Sequence, residues 1–358
     1  MLTKISNSST LIIIVLLLFQ GLIFSEEILS HSDFLMDTYV TIQVVVSDKI
    51  TGKKVLDDAF ELMKKLDKKF NNYNPDSELS HINHNAFNLE IKIDEEMLRI
   101  LEASKKIFKI SNGAFDPTVS PLVKLWNFKA EKPSVPSQST ITNLLPLVNF
   151  NNVMIDEKKK SVHFLKNGME IDLGAIAKGF VVDEVADFLK KRNIKSALIN
   201  AGGNIYAYGK KPDNTDWKVG LKDPRGEGII ATLPLRDKSI ATSGDYERFF
   251  IIEGKRYHHI LNPKTGYPVD ETISMSVIAK DATTADGLST AAFVKGGQKA
   301  LEFIKNLGRD DIEGIVIFPE NNSSFVGDAN MRSLKKYKIL VTEKLAKDIT
   351  IIEKNSDK

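Results

Sequence analysis

Apolar and polar positions alternate with changing period along the chain, and each change marks an element. Met36-Asp-Thr-Tyr-Val-Thr-Ile-Gln-Val-Val-Val46 alternates and is β-branched, which predicts a strand. Leu56, Phe60, Met63, Leu66 and Phe70 then share one face of a helix over 53–70. A polar loop follows, Asn71 to Ser80, and a second helix over 94–111 that Asn112-Gly113 should stop. Residues 129–143, rich in Pro, Ser and Thr, read as a surface excursion, and short strands are expected near 152–155 and 161–164. Met169, Ile171 and Leu173 alternate with Glu170 and Asp172, as in a strand. From Ala175 the pattern turns helical, through Ile176, Phe180, Val181, Val185 and Phe188.

Beyond that junction, Ser196 to Asn200 and Asn204 to Tyr208 flank a glycine turn, and several strands lie between 217 and 260. Strand 273–279 leads into a long helix from Thr283 to Leu307, and Gly314 to Phe318 is a last strand. Helices interspersed with hairpins give an α+β class, with mixed or antiparallel sheets and flanking helices. With no repeat and no clean linker, residues 26–345 are expected to form one compact catalytic unit, leaving 346–358 as a charged tail.

Composition changes this picture little. The 358 residues are 42% hydrophobic and 27% charged, and a net charge of +2 leaves no electrostatic footprint for nucleic acid. Cysteine is absent, which excludes disulfides, thiolate metal sites, cysteine nucleophiles and a lipoprotein acylation site. Residues 1–25 carry one charge, Lys4, and an apolar run from Leu11 to Phe24. That run is short for a membrane span and suits a signal-peptide core, with cleavage near Ser25. The body is therefore expected to be exported, either free in the periplasm or tethered at the outer face of the inner membrane by an uncleaved N-terminus.

The candidate chemistry starts at Glu170-Ile-Asp-Leu-Gly-Ala-Ile-Ala-Lys-Gly-Phe180. A strand ending in a carboxylate, a glycine turn and a helix start carrying Lys178 suits phosphate binding, because first-turn N–H groups and the macrodipole favour an anion. The same pattern describes an ordinary βα junction. Asp286 and Thr290 are four residues apart and share a helix face, where they would offer oxygen ligands to Mg²⁺; Asp286 would equally complement its own helix dipole. His258 and His259, adjacent on a strand, face opposite sides and cannot share a pocket. Phe180 stands where a P-loop requires Lys-Ser/Thr, and no dinucleotide, zinc-protease or serine-hydrolase motif is present.

Taken in order, these blocks resemble the ApbE-type FAD:protein FMN transferases. The matching stretches are Met36-Asp-Thr, Tyr73 with Ser77-Glu-Leu-Ser80, Gly113-Ala-Phe-Asp-Pro-Thr-Val119, Asp172-Leu-Gly-Ala-Ile-Ala-Lys-Gly179 and Asn200-Ala-Gly-Gly-Asn204. They continue with Ala241 to Arg248, His259-Ile-Leu-Asn-Pro-Lys-Thr-Gly266 and Ala285 to Thr290. The resemblance implies an ApbE-like fold and an exported, Mg²⁺-dependent enzyme. It would move the FMN half of FAD onto a threonine of an acceptor flavoprotein, such as a subunit of a membrane redox complex, and release AMP. By position, Met36, Tyr73, Ala114, Phe115, Asp116, Asp172, Lys178 and Ile260 would contact FAD. Asp286, Thr290 and the Ala175 carbonyl would bind Mg²⁺, and His259 would be the catalytic histidine. The alternatives are an FAD pyrophosphatase giving FMN and AMP, and a periplasmic FAD-binding protein without turnover. Met-Asp-Thr departs from the commoner Met-Gly-Thr, and Ala175 follows one glycine rather than a longer run.

Overall fold

The computed structural model describes residues 26–320, 331–334 and 337–352, the 331–334 stretch by its backbone alone. Its centre is a nine-stranded sheet in the order Glu27–Leu35, Thr38–Val46, Ala197–Ala201, Asn204–Tyr208, Lys238–Gly244, Ser274–Ala279, Glu313–Pro319, Tyr337–Val341 and Met331–Leu334. Every adjacent pair is antiparallel. Both faces are covered, so alternate residues of one strand enter different cores. Val316 and Phe318 pack with the helices Lys49–Phe70, Ala177–Lys191 and Ala282–Lys295. Ile315 and Ile317 meet a second, three-stranded sheet built from Trp217–Lys222, Ile229–Leu235 and Thr350–Ile351. The α+β expectation holds: the result is one layer of helices, a large sheet and a small sheet.

Several expected elements come out differently. The strand drawn from Met36 begins at Thr38, because Met36 and Asp37 form the turn of a hairpin whose first strand is Glu27–Leu35. That first strand lies at the sheet edge with its residues half exposed, so its apolar pattern is weak. The loop drawn to Ser80 instead starts a helix, Glu78–Asn85, because the Ser77 hydroxyl accepts the Ser80 N–H at 2.9 Å and caps it. Residues 169–173 are extended but join no sheet. Their backbone is used elsewhere: Ile171 exchanges bonds with the Asn83 amide, and the Asp172 N–H donates to the Pro117 carbonyl at 2.8 Å. The helix expected over 283–307 is two, Ala282–Lys295 and Gly297–Asn306, broken where Gly296 and Gly297 take φ of 79° and 47°. The sheet does not end at Phe318, and residues 346–352 are no tail, since Thr350–Ile351 pairs with Ile229–Leu235. The expected signal segment, 1–25, and residues 353–358 lie outside the described residues.

A third apolar cluster fastens the excursion over 129–143 to the strand Phe249–Ile252 and the loop at Leu261. Trp126, 1% exposed, donates its indole N–H to the Gly266 carbonyl at 2.8 Å. Its ring stacks on Phe128 and Tyr257, with centroids 5.7 and 5.6 Å away. This ties the segment after Ala114–Asp116 to the turn after His259. Trp126→Ala should therefore lower stability by about 3–5 kcal/mol, read as a fall in the denaturation midpoint.

Candidate active site

Two helices meet at their starts and each supplies a carboxylate to the other. The helix Ala177–Lys191 has no side-chain cap of its own at Ile176. Instead Asp286, from the helix Ala282–Lys295, accepts the Gly179 N–H at 2.9 Å. In return Asp183 accepts the Ala282 and Thr283 N–H groups, both at 2.8 Å. Pairing 179 with 286 and 183 with 282 sets the helices antiparallel, overlapped by their first turns. Gly179 is required by this approach: a Cβ there would lie 2.7 Å from Asp286 Cβ and overlap the Ala282 carbonyl. The helix start thus differs from the phosphate cradle expected of it. Ala177 and Phe180 donate to Leu173 and Ile176 carbonyls, and Gly179 to Asp286, so its first-turn N–H groups are largely taken.

Around this junction gather charges from four parts of the chain. Burial pushes Asp286 up from the usual carboxylate range, against the Lys178 charge, the Gly179 N–H and a side-chain hydrogen bond from Asn204. Burial likewise raises Asp172, which accepts the Gly174 N–H at 2.7 Å and faces Arg248 and Lys178. Tyr73, raised first by burial and then by Asp172, stands beneath Lys129, whose Nζ lies 5.4 Å from the ring centroid. His259 is half-buried, and burial together with the Arg248 and Lys178 charges pushes it down to about 3. Its Nδ1 lies 3.3 Å from the Arg248 carbonyl. A carbonyl only accepts, so Nδ1 carries the proton and Nε2 keeps its lone pair. His258 is excluded from this role: it is 3% exposed, accepts the Ile260 N–H on Nδ1 and donates through Nε2 to the Val269 carbonyl.

The expected residues therefore fall into three sets. Tyr73, Asp172, Lys178, His259 and Asp286 form one electrostatic cluster, with Met36 in the hairpin turn beside Asp37 and Ile260 next to His259. Ala114, Phe115 and Asp116 turn inward. Phe115 is 2% exposed, and the Asp116 carboxylate is held by the Thr118 and Phe150 N–H groups, which it accepts. Beside them opens a cleft of about 530 Å³ lined by Gly113, Asp116, Asn149, Pro263 and Lys264, among others. Third are the metal candidates. No group of three His, Cys, Asp or Glu side chains is placed to hold a metal ion among the described residues. The Asp286 carboxylate, the Thr290 hydroxyl and the Ala175 carbonyl are the oxygens a site here would offer. Thr290 lies one turn after Asp286 with Oγ1 3.1 Å from Ser243 Oγ, and Ala175 lies in the turn before Ala177. Hard oxygens with one carboxylate fit Mg²⁺, which keeps waters and takes substrate phosphate oxygens.

The ApbE family model matches residues 36–316, most of the chain. The chain belongs to the ApbE family. It is 33% identical to a FAD:protein FMN transferase of Klebsiella pneumoniae (strain 342), over 82% of this chain and 90% of that one. A FAD:protein FMN transferase of Treponema pallidum (strain Nichols) is 34% identical over 74% and 77%. Among solved structures, the ApbE protein of Thermotoga maritima superposes with a TM-score of 0.76 at 36% identity, covering 82% of this chain and 94% of its own. The apo flavinyl transferase ApbE of Pseudomonas stutzeri gives 0.76 at 26% identity, covering 89% and 95%.

Against the ApbE pattern, the Asp37 departure has a structural reason. Met36 and Asp37 take φ of 56° and 58°, a left-handed pair that glycine adopts most easily and Asp tolerates. Asp37 then adds what glycine cannot, since its carboxylate meets Lys129 at 2.6 Å and Arg248 at 3.3 Å. Sequence reasoning assigned no role to Arg248, Asp183, Asn204 or Ser243. Only Asn204, directly after a Gly-Gly turn at a strand start, carried a usable signal.

The His259 environment gives a pH prediction. A folded value of about 3 lies below the ordinary 6.5, so neutral His259 contributes stability above about pH 6.5 that is lost as pH falls toward 3. Imidazole ¹⁵N NMR of the free protein should show His259 neutral at pH 5. A protonation midpoint near 6 would contradict the assignment.

Proposed function

We propose that this chain is a FAD:protein FMN transferase. It moves the FMN half of FAD onto a threonine hydroxyl of an acceptor flavoprotein and releases AMP, with Mg²⁺ bound through Asp286, Thr290 and the Ala175 carbonyl. The observation that carries this reading is the convergence of Lys178, Asp286 and His259 at one helix start in a member of this family. A diphosphate brings charge that must be offset before a hydroxyl approaches phosphorus. Lys178 supplies one positive group, whose charge already reaches Asp172, His259 and Asp286. Mg²⁺, when bound, would supply further charge neutralisation at the diphosphate. The cleft beside Gly113 and Asp116 is within the size range of small-molecule pockets and would take one planar end of FAD.

His259 acts as an acceptor in this scheme. With Nδ1 tied to a carbonyl, Nε2 accepts a hydrogen bond from the incoming threonine hydroxyl and aligns its oxygen with phosphorus, the hydroxyl proton going to the departing AMP phosphate. A neutral imidazole in this tautomer has no N–H left for a phosphate, which argues against phosphate holding. The bond formed is threonine oxygen to phosphorus, and the bond broken joins that phosphorus to the AMP moiety. The resting site is open, since Tyr73 is 59% exposed and Gly174 faces solvent. Water would replace the threonine unless the docked acceptor excludes it, which gives the pyrophosphatase reaction. The apolar segment at 11–24 supports export, with acceptors among subunits of membrane redox complexes.

The test incubates the protein with FAD, Mg²⁺ and a domain bearing a candidate acceptor threonine, following AMP and domain mass. An FMN-sized mass gain that EDTA abolishes and Asp286→Ala reduces about a hundredfold or more is expected. AMP and free FMN without a modified domain would favour hydrolysis. FAD left intact throughout would sink the enzyme reading.

A further inference from the structure

Among the described residues, two buried side-chain polar atoms have no hydrogen-bond partner, Ser104 Oγ and Asn204 Oδ1. Ser104 sits mid-helix in Glu95–Ile110, where a hydroxyl can turn toward a helix carbonyl. Asn204 has no such freedom. It is 2% exposed and opens the strand Asn204–Tyr208 directly after Gly202-Gly203. The helix Ala282–Lys295 packs against this strand, and the Asn204 amide beside the Asp286 carboxylate favours its charged form, which sets the amide nitrogen toward that carboxylate. Turning the amide over would set its oxygen against a carboxylate, which fixes the orientation. Oδ1, on the same carbon, is left buried beside Asp286 without a protein donor. An unpaired buried acceptor is destabilising, and native proteins rarely leave one unmet.

We propose that Asn204 is a positioning residue for the Mg²⁺ site, holding the Asp286 carboxylate through its nitrogen and accepting a hydrogen bond from the ion's water shell through Oδ1. The inference rests on the Mg²⁺ reading above. Mg²⁺ releases its waters reluctantly, so bound waters supply the donor that the protein lacks. Groups one step behind the ligands typically tune metal affinity by about tenfold to a hundredfold.

Mn²⁺ titration of the purified protein without FAD, followed by electron paramagnetic resonance, tests this with melting temperature as a second readout. Asn204→Leu, close in shape and without polar atoms, should still melt cooperatively, which shows that it is folded before metal is added. Its Mn²⁺ affinity should fall about tenfold to a hundredfold. Asn204→Ala, which removes both polar atoms without adding bulk, should lose Mn²⁺ affinity to the same extent. Asp286→Ala should lose binding. Unchanged Mn²⁺ affinity in Asn204→Leu would overturn the inference and leave the metal reading standing, the orphan oxygen then being met by ordinary water. If Asn204→Leu does not fold, unchanged Mn²⁺ affinity in a folded Asn204→Ala overturns it instead. A wild type that binds no Mn²⁺, or an Asp286→Ala that binds normally, removes the metal reading and this inference together.

Discussion

The contact between the Gly179 N–H and the Asp286 carboxylate is the constraint on which the rest of the site depends. A carboxylate 5% exposed is costly to bury charged unless donors meet it. Here the donor is an uncapped helix start, so one bond satisfies an orphan backbone group and stabilises a buried charge. Asp183 closes the other half of the exchange at Ala282 and Thr283, which fixes the register of the two helices. Neither bond forms if a side chain stands at 179.

That register decides what surrounds the carboxylate. Lys178 precedes Gly179 and reaches back to the Gly174 carbonyl at 3.2 Å, which holds its charge over the turn containing Ala175. Thr290 follows Asp286 by one turn and is braced by Ser243 from the strand Lys238–Gly244. The nine-stranded sheet carries these helices on one face and places Asp37 and Arg248 beyond the ends of its strands, while His259 directly follows a separate hairpin of Phe249–Ile252 and Lys255–His258. The smaller sheet on the opposite face buries apolar area and touches none of the candidate residues. Its contribution to the site is rigidity of the platform.

Periodicity made the helices and most inner strands legible, because those residues bury one face or both. The edge strand Glu27–Leu35 was lost because its burial is partial, and the strand expected over 169–173 is absent because its backbone bonds go to the Asn83 amide and the Pro117 carbonyl instead. The break at Gly296-Gly297 was missed because the apolar pattern runs on beyond it, through Ala300, Leu301 and Ile304. Within the site, motif order placed Asp172, Lys178, His259 and Asp286 together. It could not show that the helix N–H groups are largely occupied, nor that Asp183 caps the helix of Asp286 and Asn204 sits beside its carboxylate from distant segments, since neither contact leaves a spacing in the chain. Asp37 was visible as a departure whose meaning needed the φ angles and the ion pairs around it.

The central claim is that the close approach at Gly179 seats Asp286 for chemistry. The most direct measurement is the rate of AMP formation from FAD by Gly179→Ala at saturating Mg²⁺, at a temperature where far-ultraviolet circular dichroism shows it folded. The added methyl must part the two helices, so the account predicts a folded protein whose rate falls about a hundredfold or more. A folded Gly179→Ala variant with wild-type turnover would contradict it.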